Sequence, residues 1–256
     1  MSDPFRIYWL PGCSSCLRAK EFLLGRNIPF ESINVTEQPG AMADLEKIGF
    51  RSVPVIARGD EGVFCQDLQD VADFLDVELE KTTLTADNFI TRIDLGLQAA
   101  QRFARQLSVG QLAGHFPGRD RSFRGLVYHI FMVPTGFLEA ARGGSLEIEC
   151  FFRTAPEGVV SGAQLAALGE TIRLDLLNWW QACEGELPNT VQTYYGERTG
   201  FSVLERTACH AAQHCRQLQA VVEMNDIEPD GPLGDAELGG LPLPKDIYDN
   251  EIDLEV

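Results

Sequence analysis

Histidine is scarce in this chain of 256 residues: there are four, against 38 acidic and 21 basic side chains. Basic excess is absent too. With a formal net charge of −17 and no basic patch, nucleic acid is not an expected partner. No charged-then-apolar leader opens the sequence, and no apolar run approaches 18 residues, so neither a signal peptide nor a membrane span is predicted. The seven cysteines are odd in number and scattered in spacing, which argues against a disulfide framework and for a reducing, cytoplasmic setting. No internal repeat is visible. Hydrophobic residues are not lacking: at 45% of the chain they can fill one large core or two ordinary ones.

The negative charge is unevenly spread. Residues 1–80 carry 7 basic and 14 acidic groups, residues 81–222 carry 13 of each, and residues 223–256 set Lys245 against 11 acids. The last segment is also rich in Pro and Gly ("EPDGPLGDAELGGLPLPKD"), so residues 225–256 are expected to be an extended, solvated acidic tail. Docking of "IYDNEIDLEV" on the body or on a partner is the lesser alternative.

Residues 1–80 alternate between strand and helix. "FRIYW" and "FESINV" read as strands, "CLRAKEFLLG" and "GAMADLEKIG" as helices, and "VPVIA", "RGDEG" and "VFC" as a hairpin. "DLQDVADFL" closes the segment as a helix starting at Asp67. This order predicts a small α/β domain. From "EKTTLTADN" onward, long helical stripes take over. Ile90, Ile93, Leu97, Ala100, Ala104 and Leu107 mark one helix, and a second runs from Ser122 to Arg142 with a kink expected at Pro134. A third spans 162–184 and a fourth 200–224, so residues 85–224 are expected to form a four-helix bundle.

Two clusters carry chemistry. In "PGCSSCLRAK", Cys13 falls at a helix N-terminus, where unsatisfied amides favour a thiolate, and Cys16 faces it one turn on, placed to resolve a mixed disulfide. The competing reading is half a zinc site or two buried thiols, but a zinc knuckle wants a second cysteine pair and Cys65 alone does not supply it. In "ERTACHAAQHCRQL", His210 and His214 stand four apart on one helix face, at the border of an apolar stripe. His129 shares an inward stripe with Leu126 and Val133. One inward histidine is ordinarily a core residue; a pair joined by a third makes a three-nitrogen set with one coordination position left open. The metal expected is divalent, zinc first, with nickel, iron or manganese as alternatives. Tyr194, Tyr195, Trp179, Trp180, Arg198 and Arg206 are candidates to line a pocket. For the two tryptophans, core packing is the favoured reading.

Residues 1–80 resemble a glutaredoxin in strand order, in "CSSC", in "VPV" and in "CQDL" before the last helix. The resemblance implies a thioredoxin fold with a cis proline at Pro54 against the active cysteine. It also implies a glutathione site built from Cys13, Val53, Pro54, Cys65, Gln66 and Asp67. Val63-Phe64 stands where glutaredoxins carry Gly-Gly, and Leu10-Pro11 where they carry a basic residue. Residues 85–224 resemble the DinB-like metal-binding bundles, in the inward histidine of the second helix and in "HAAQHCRQL", which matches that group's H-x-x-x-H-x-x-Q-L. Members include zinc-dependent enzymes that use low-molecular-weight thiols, which implies the metal ligands His129, His210 and His214.

Together these features predict a thiol-dependent metalloenzyme: a three-histidine metal site activates glutathione or another small thiol for S-transfer, isomerisation or desulfurisation on an unidentified substrate. Thiol–disulfide exchange at Cys13 and Cys16 is coupled to that chemistry. The alternatives are a disulfide reductase carrying a non-catalytic metal-binding or sensor bundle, and a redox-responsive binding protein. The oligomeric state is open, a homodimer included.

Overall fold

The computed structural model describes residues 3–80, 82–116 and 121–248. The chain divides into two compact units, Met1–Lys81 with Pro244–Val256, and Thr82–Leu243. No helix among the described residues is long and apolar enough to cross a membrane.

In the first unit, β1 (Phe5–Trp9), α1 (Ser14–Leu24), β2 (Phe30–Asn34), α2 (Ala41–Lys47), β3 (Val55–Arg58), β4 (Glu61–Phe64) and α3 (Leu68–Leu75) follow the order read from the sequence. The sheet runs β2-β1-β3-β4, with β1 and β2 parallel and β3 antiparallel to both β1 and β4. Ile7, Leu23, Leu45, Val55, Ile56 and Val71 are fully buried in the core that the sheet and its helices share. Gly59 adopts a φ of 61° in the two-residue turn between Arg58 and Glu61, a backbone shape that glycine takes without a Cβ penalty. Cys13 caps α1 and Asp67 caps α3, so the two elements that carry the thiol motif and the "CQDL" turn both begin at the same kind of polar end. This is a thioredoxin-like domain.

The second unit is mostly helical. Its long helices are α4 (Ala86–Gln106), α6 (Phe123–Ala141), α7 (Gly162–Ala182) and α8 (Gly200–Met224), with a short α5 (Val109–Leu112) between the first two. α4 packs on α7 and α8, and α6 packs on the same two helices. Side-chain caps start each long helix: Thr85 with Asn88, Ser122, Ser161 with Gln164, and Thr199. α6 continues through Pro134 as a single helix. On α7, Gly169 meets the ring of Phe131 so closely that no Cβ fits, which lets α6 and α7 approach. Arg173 pairs with Asp94 (2.6 Å) and Glu170 (2.8 Å), tying α7 to α4 across a half-buried seam.

Two features depart from the sequence reading. "GGSLEIECFF" and "VQTYYGER" supply a three-stranded sheet, β5 (Ser145–Leu146), β6 (Val191–Thr193) and β7 (Gly196–Arg198), followed after β5 by a 3-10 helix over Ile148–Phe152. The acidic segment is not solvated throughout. Arg92 donates to the Gly239 carbonyl (2.6 Å), and Arg102 to those of Asp230 and Gly231. Gln106 bonds Glu228 and Asp230, Gln219 bonds Leu233, and Leu241 is buried. The reason is that a Pro- and Gly-rich stretch leaves many backbone carbonyls and amides outside any sheet or long helix. The long polar side chains of α4 and α8 therefore hold it through its backbone, without apolar periodicity. A last short helix, α9 (Asp235–Leu238), lies within this segment. Further on, the carboxylate of Glu21 on α1 accepts from the backbone N–H groups of Lys245 (2.6 Å) and Asp246 (3.0 Å) within the first unit. Most of "IYDNEIDLEV", from residue 249, lies outside the described residues.

Candidate functional site

The thiol site lies where β1 hands over to α1. Cys13 keeps extended backbone angles as the N-cap, and its Sγ accepts from the Cys16 amide at 3.1 Å. The two cysteines form a disulfide, with Cα atoms 5.2 Å apart. Cys13 is half-buried whereas Cys16 is fully buried, so an incoming sulfur meets Cys13 first. The Val53–Pro54 peptide bond is cis. The Pro54 carbonyl accepts from the Cys65 amide (2.9 Å), while Gln66 is tied to α1 twice. Its Oε1 accepts from Ser15 Oγ (3.1 Å), and its carbonyl accepts from Arg18 (2.9 Å). The turn at residues 65–67 is thereby fastened both to the proline strand and to the cysteine helix. Val53 is buried, and Asp67 uses one carboxylate oxygen on the Gln69 amide. The Cys65 side chain points into the core, and burial pushes its thiol up to about 12, so it stays protonated and inert at neutral pH. The sequence reading passed over Lys20. It lies one turn past Cys16, is 2% exposed, and sets its ammonium 2.9 Å from the Trp9 ring centroid. A lysine on the apolar face of an amphipathic helix was the available signal.

The second site joins α6 to α8. Leu204, Ala208, Ala211, Cys215, Leu218 and Val222 bury one stripe of α8 and so turn the neighbouring stripe, with His210 and His214, toward α6. His129 comes from α6, and the ligand atoms of the three rings lie within 4.8 Å of one another. Nε2 of His210 is 3.0 Å from Nε2 of His214 and 3.3 Å from Nε2 of His129. Two imidazole nitrogens in a tetrahedral zinc site, each about 2.05 Å from the metal, stand roughly 3.3 Å apart. The two Nε2 distances that His210 makes are close to that value. Burial holds His129 and His210 well below the ordinary imidazole value. The rings are thus kept neutral, the form that ligates. Nδ1 of His129 and Nδ1 of His210 find no hydrogen-bond partner among the described residues, whereas Nδ1 of His214 is 2.7 Å from Gln217 Oε1.

The pocket candidates sort by distance from this centre. Phe151, placed by the 3-10 helix, lies edge-on to His129 and tilted against His210, with ring centroids 5.9 and 5.3 Å away. Arg206 sits over the rings of Phe151, Tyr194 and Tyr195 and donates to the Tyr194 hydroxyl at 3.0 Å. Arg198 lies over Tyr195. Trp179 and Trp180 are engaged elsewhere: Trp179 packs on Phe137, and Trp180 donates to Asp87. The part played by Phe151 was not legible in the sequence, since only the fold of its loop brings it to the histidines.

A family model described as Glutaredoxin matches residues 6–63. Two relatives, the glutaredoxin-like protein NrdH of Lactococcus lactis subsp. lactis (strain IL1403) and that of Lactococcus lactis subsp. cremoris (strain MG1363), are each 35% identical to the chain over 54 residues. Those residues are 21% of this chain and 75% of each relative. No solved structure matches the chain. A match over three quarters of a relative, falling on a thioredoxin-like sheet with its cysteine pair at a helix start, is enough to conclude that the chain belongs to the glutaredoxin family.

Proposed function

We propose that the protein is a thiol-dependent metalloenzyme that couples glutaredoxin-type exchange at Cys13 and Cys16 to a metal centre held by His129, His210 and His214 in a DinB-like four-helix bundle. The observation that carries the reading is the convergence of three imidazoles from two helices, with ligand atoms within 4.8 Å of one another and two of the Nε2 pairs 3.0 and 3.3 Å apart. A divalent metal there, zinc first among those that imidazole suits, would supply Lewis acidity that lowers the pKa of a bound thiol. The chain's own residues do the rest. The neutral rings offer lone pairs, and Phe151 packs its ring against those of His129 and His210. On the thiol side, Cys13 as thiolate attacks the sulfur of a mixed disulfide and releases the first thiol. Cys16 then displaces the second, leaving the Cys13–Cys16 disulfide. Two equivalents of a small thiol such as glutathione restore the dithiol and leave joined as their own disulfide. The chemistry at the centre is S-transfer, isomerisation or desulfurisation of a thiol adduct.

The test pairs elemental analysis with two assays, glutathione-dependent turnover of an electrophile panel and reduction of a small disulfide. His214→Ala should lose the metal and the first activity and keep the second. Cys13→Ser should keep the metal and lose disulfide reduction. Undiminished metal in His214→Ala ends the ligand assignment. The second reading, a disulfide reductase with a non-catalytic metal-binding or sensor bundle, is favoured by the relatives being described as glutaredoxin-like proteins. It predicts bound metal with no electrophile turnover.

A further inference from the structure

The three histidines are not held alike. His214 is 2% exposed and its Nδ1 lies 2.7 Å from Oε1 of Gln217, one turn further along α8, itself 4% exposed. The other two Nδ1 atoms have no such contact among the described residues. An imidazole has two nitrogens and, when neutral, one proton. A carbonyl oxygen at Nδ1 accepts that proton's hydrogen bond and so leaves the lone pair on Nε2. The opposite orientation of the amide, with its NH2 toward Nδ1, would move the ring proton to Nε2, the atom 3.0 Å from His210 Nε2, and remove His214 as a donor. Metal binding and the direction of the Gln217 amide are therefore one choice.

We infer that Gln217 is a positioning residue for the metal centre: its side-chain carbonyl fixes the Nδ1–H tautomer and the ring plane of His214. This rests on the metal reading above. It also gives the Gln of "HAAQHCRQL" a physical task, because the residue three beyond His214 lies on the same helix face and reaches Nδ1. A neutral carboxamide has a further consequence. A carboxylate at the same place would make the imidazole a stronger base and blunt the metal's acidity, whereas the amide orients the ring without adding charge.

The test is metal affinity of the full-length protein by chelator competition with Zn(II), and the visible spectrum with Co(II), which reports coordination without activity. Gln217→Met keeps the volume and removes the carbonyl, and should weaken binding ten- to a hundredfold. Gln217→Glu restores an acceptor and should bind within a few-fold of wild type or tighter. Unchanged affinity in a folded Gln217→Met protein overturns the inference. Nitrogen-15 shifts of the wild-type metal-free protein give an answer that needs no variant: His214 protonated on Nδ1 is expected, and protonation on Nε2 overturns it. Wild type that binds neither metal would instead refute the metal reading itself, and this inference with it.

Discussion

Acidification should destabilise the metal-free protein well before its carboxylates titrate, and the amount follows from two side chains. His129 and His210 are held well below the ordinary 6.5 by burial. In the unfolded chain both regain that ordinary value. Below pH 6.5 the unfolded state therefore binds protons that the folded state refuses, so stability is full above 6.5 and falls as pH drops toward the folded-state values. Each histidine costs about 1.4 kcal/mol per pH unit in that window, so moving from pH 7.5 to 5.5 should remove roughly 3 kcal/mol for the pair. Glu170, drawn down to about 2 by hydrogen bonds from Arg173 and Gln101, loses its contribution only as pH falls from 4.5, so it does not contaminate the measurement. The assay is urea unfolding followed by helical ellipticity with chelator present, at both pH values, against a His129→Leu/His210→Leu variant. The wild type should lose stability and the variant should not. Equal stability of the wild type at the two pH values, or the same loss in the variant, would refute the reasoning.

Two further outcomes are expected. After reduction, limiting iodoacetamide at pH 6 should label Cys13 first, because Cys16 is buried and burial pushes Cys65 and Cys215 to about 12 and Cys150 to about 11; mass mapping that finds Cys65 labelled ahead of Cys13 contradicts the site. Truncation after Asp226 should lower the melting temperature by roughly 5–10 °C, since it removes Leu241 and six hydrogen bonds to α4 and α8, together worth on the order of 3 kcal/mol. An unchanged melt would show that the docked segment contributes nothing.

Much of this protein is local in origin and so could be read from residues alone. The period-2 and period-3.6 patterns of residues 5–75 set the strand and helix order of the thioredoxin-like unit. The caps at Ser122, Ser161 and Thr199 and the stop at Met224 lie in short stretches of sequence, where capping physics acts within one turn. The positions of Cys13, Cys16, His210 and His214 on their helices follow from spacing. What spacing cannot supply is which faces meet. That His129 reaches the other two rings depends on α6 packing against α8, and on Gly169 letting α7 come close to Phe131. The place of Phe151 depends on a loop held to α6 by Cys150 donating to the Met132 carbonyl. The docked acidic segment was misread for the same reason. Its contacts are backbone carbonyls taken by Arg92, Arg102 and Gln106 from more than 120 residues away in sequence, and such bonds leave no periodic trace in the side chains. Residues alone carried the order of the first unit's strands and helices, the four long helices and the chemistry each can bear, because propensity, capping and helical spacing act over a few residues. Tertiary structure alone decided which of those groups share a centre, because that is settled by packing between elements distant in the chain.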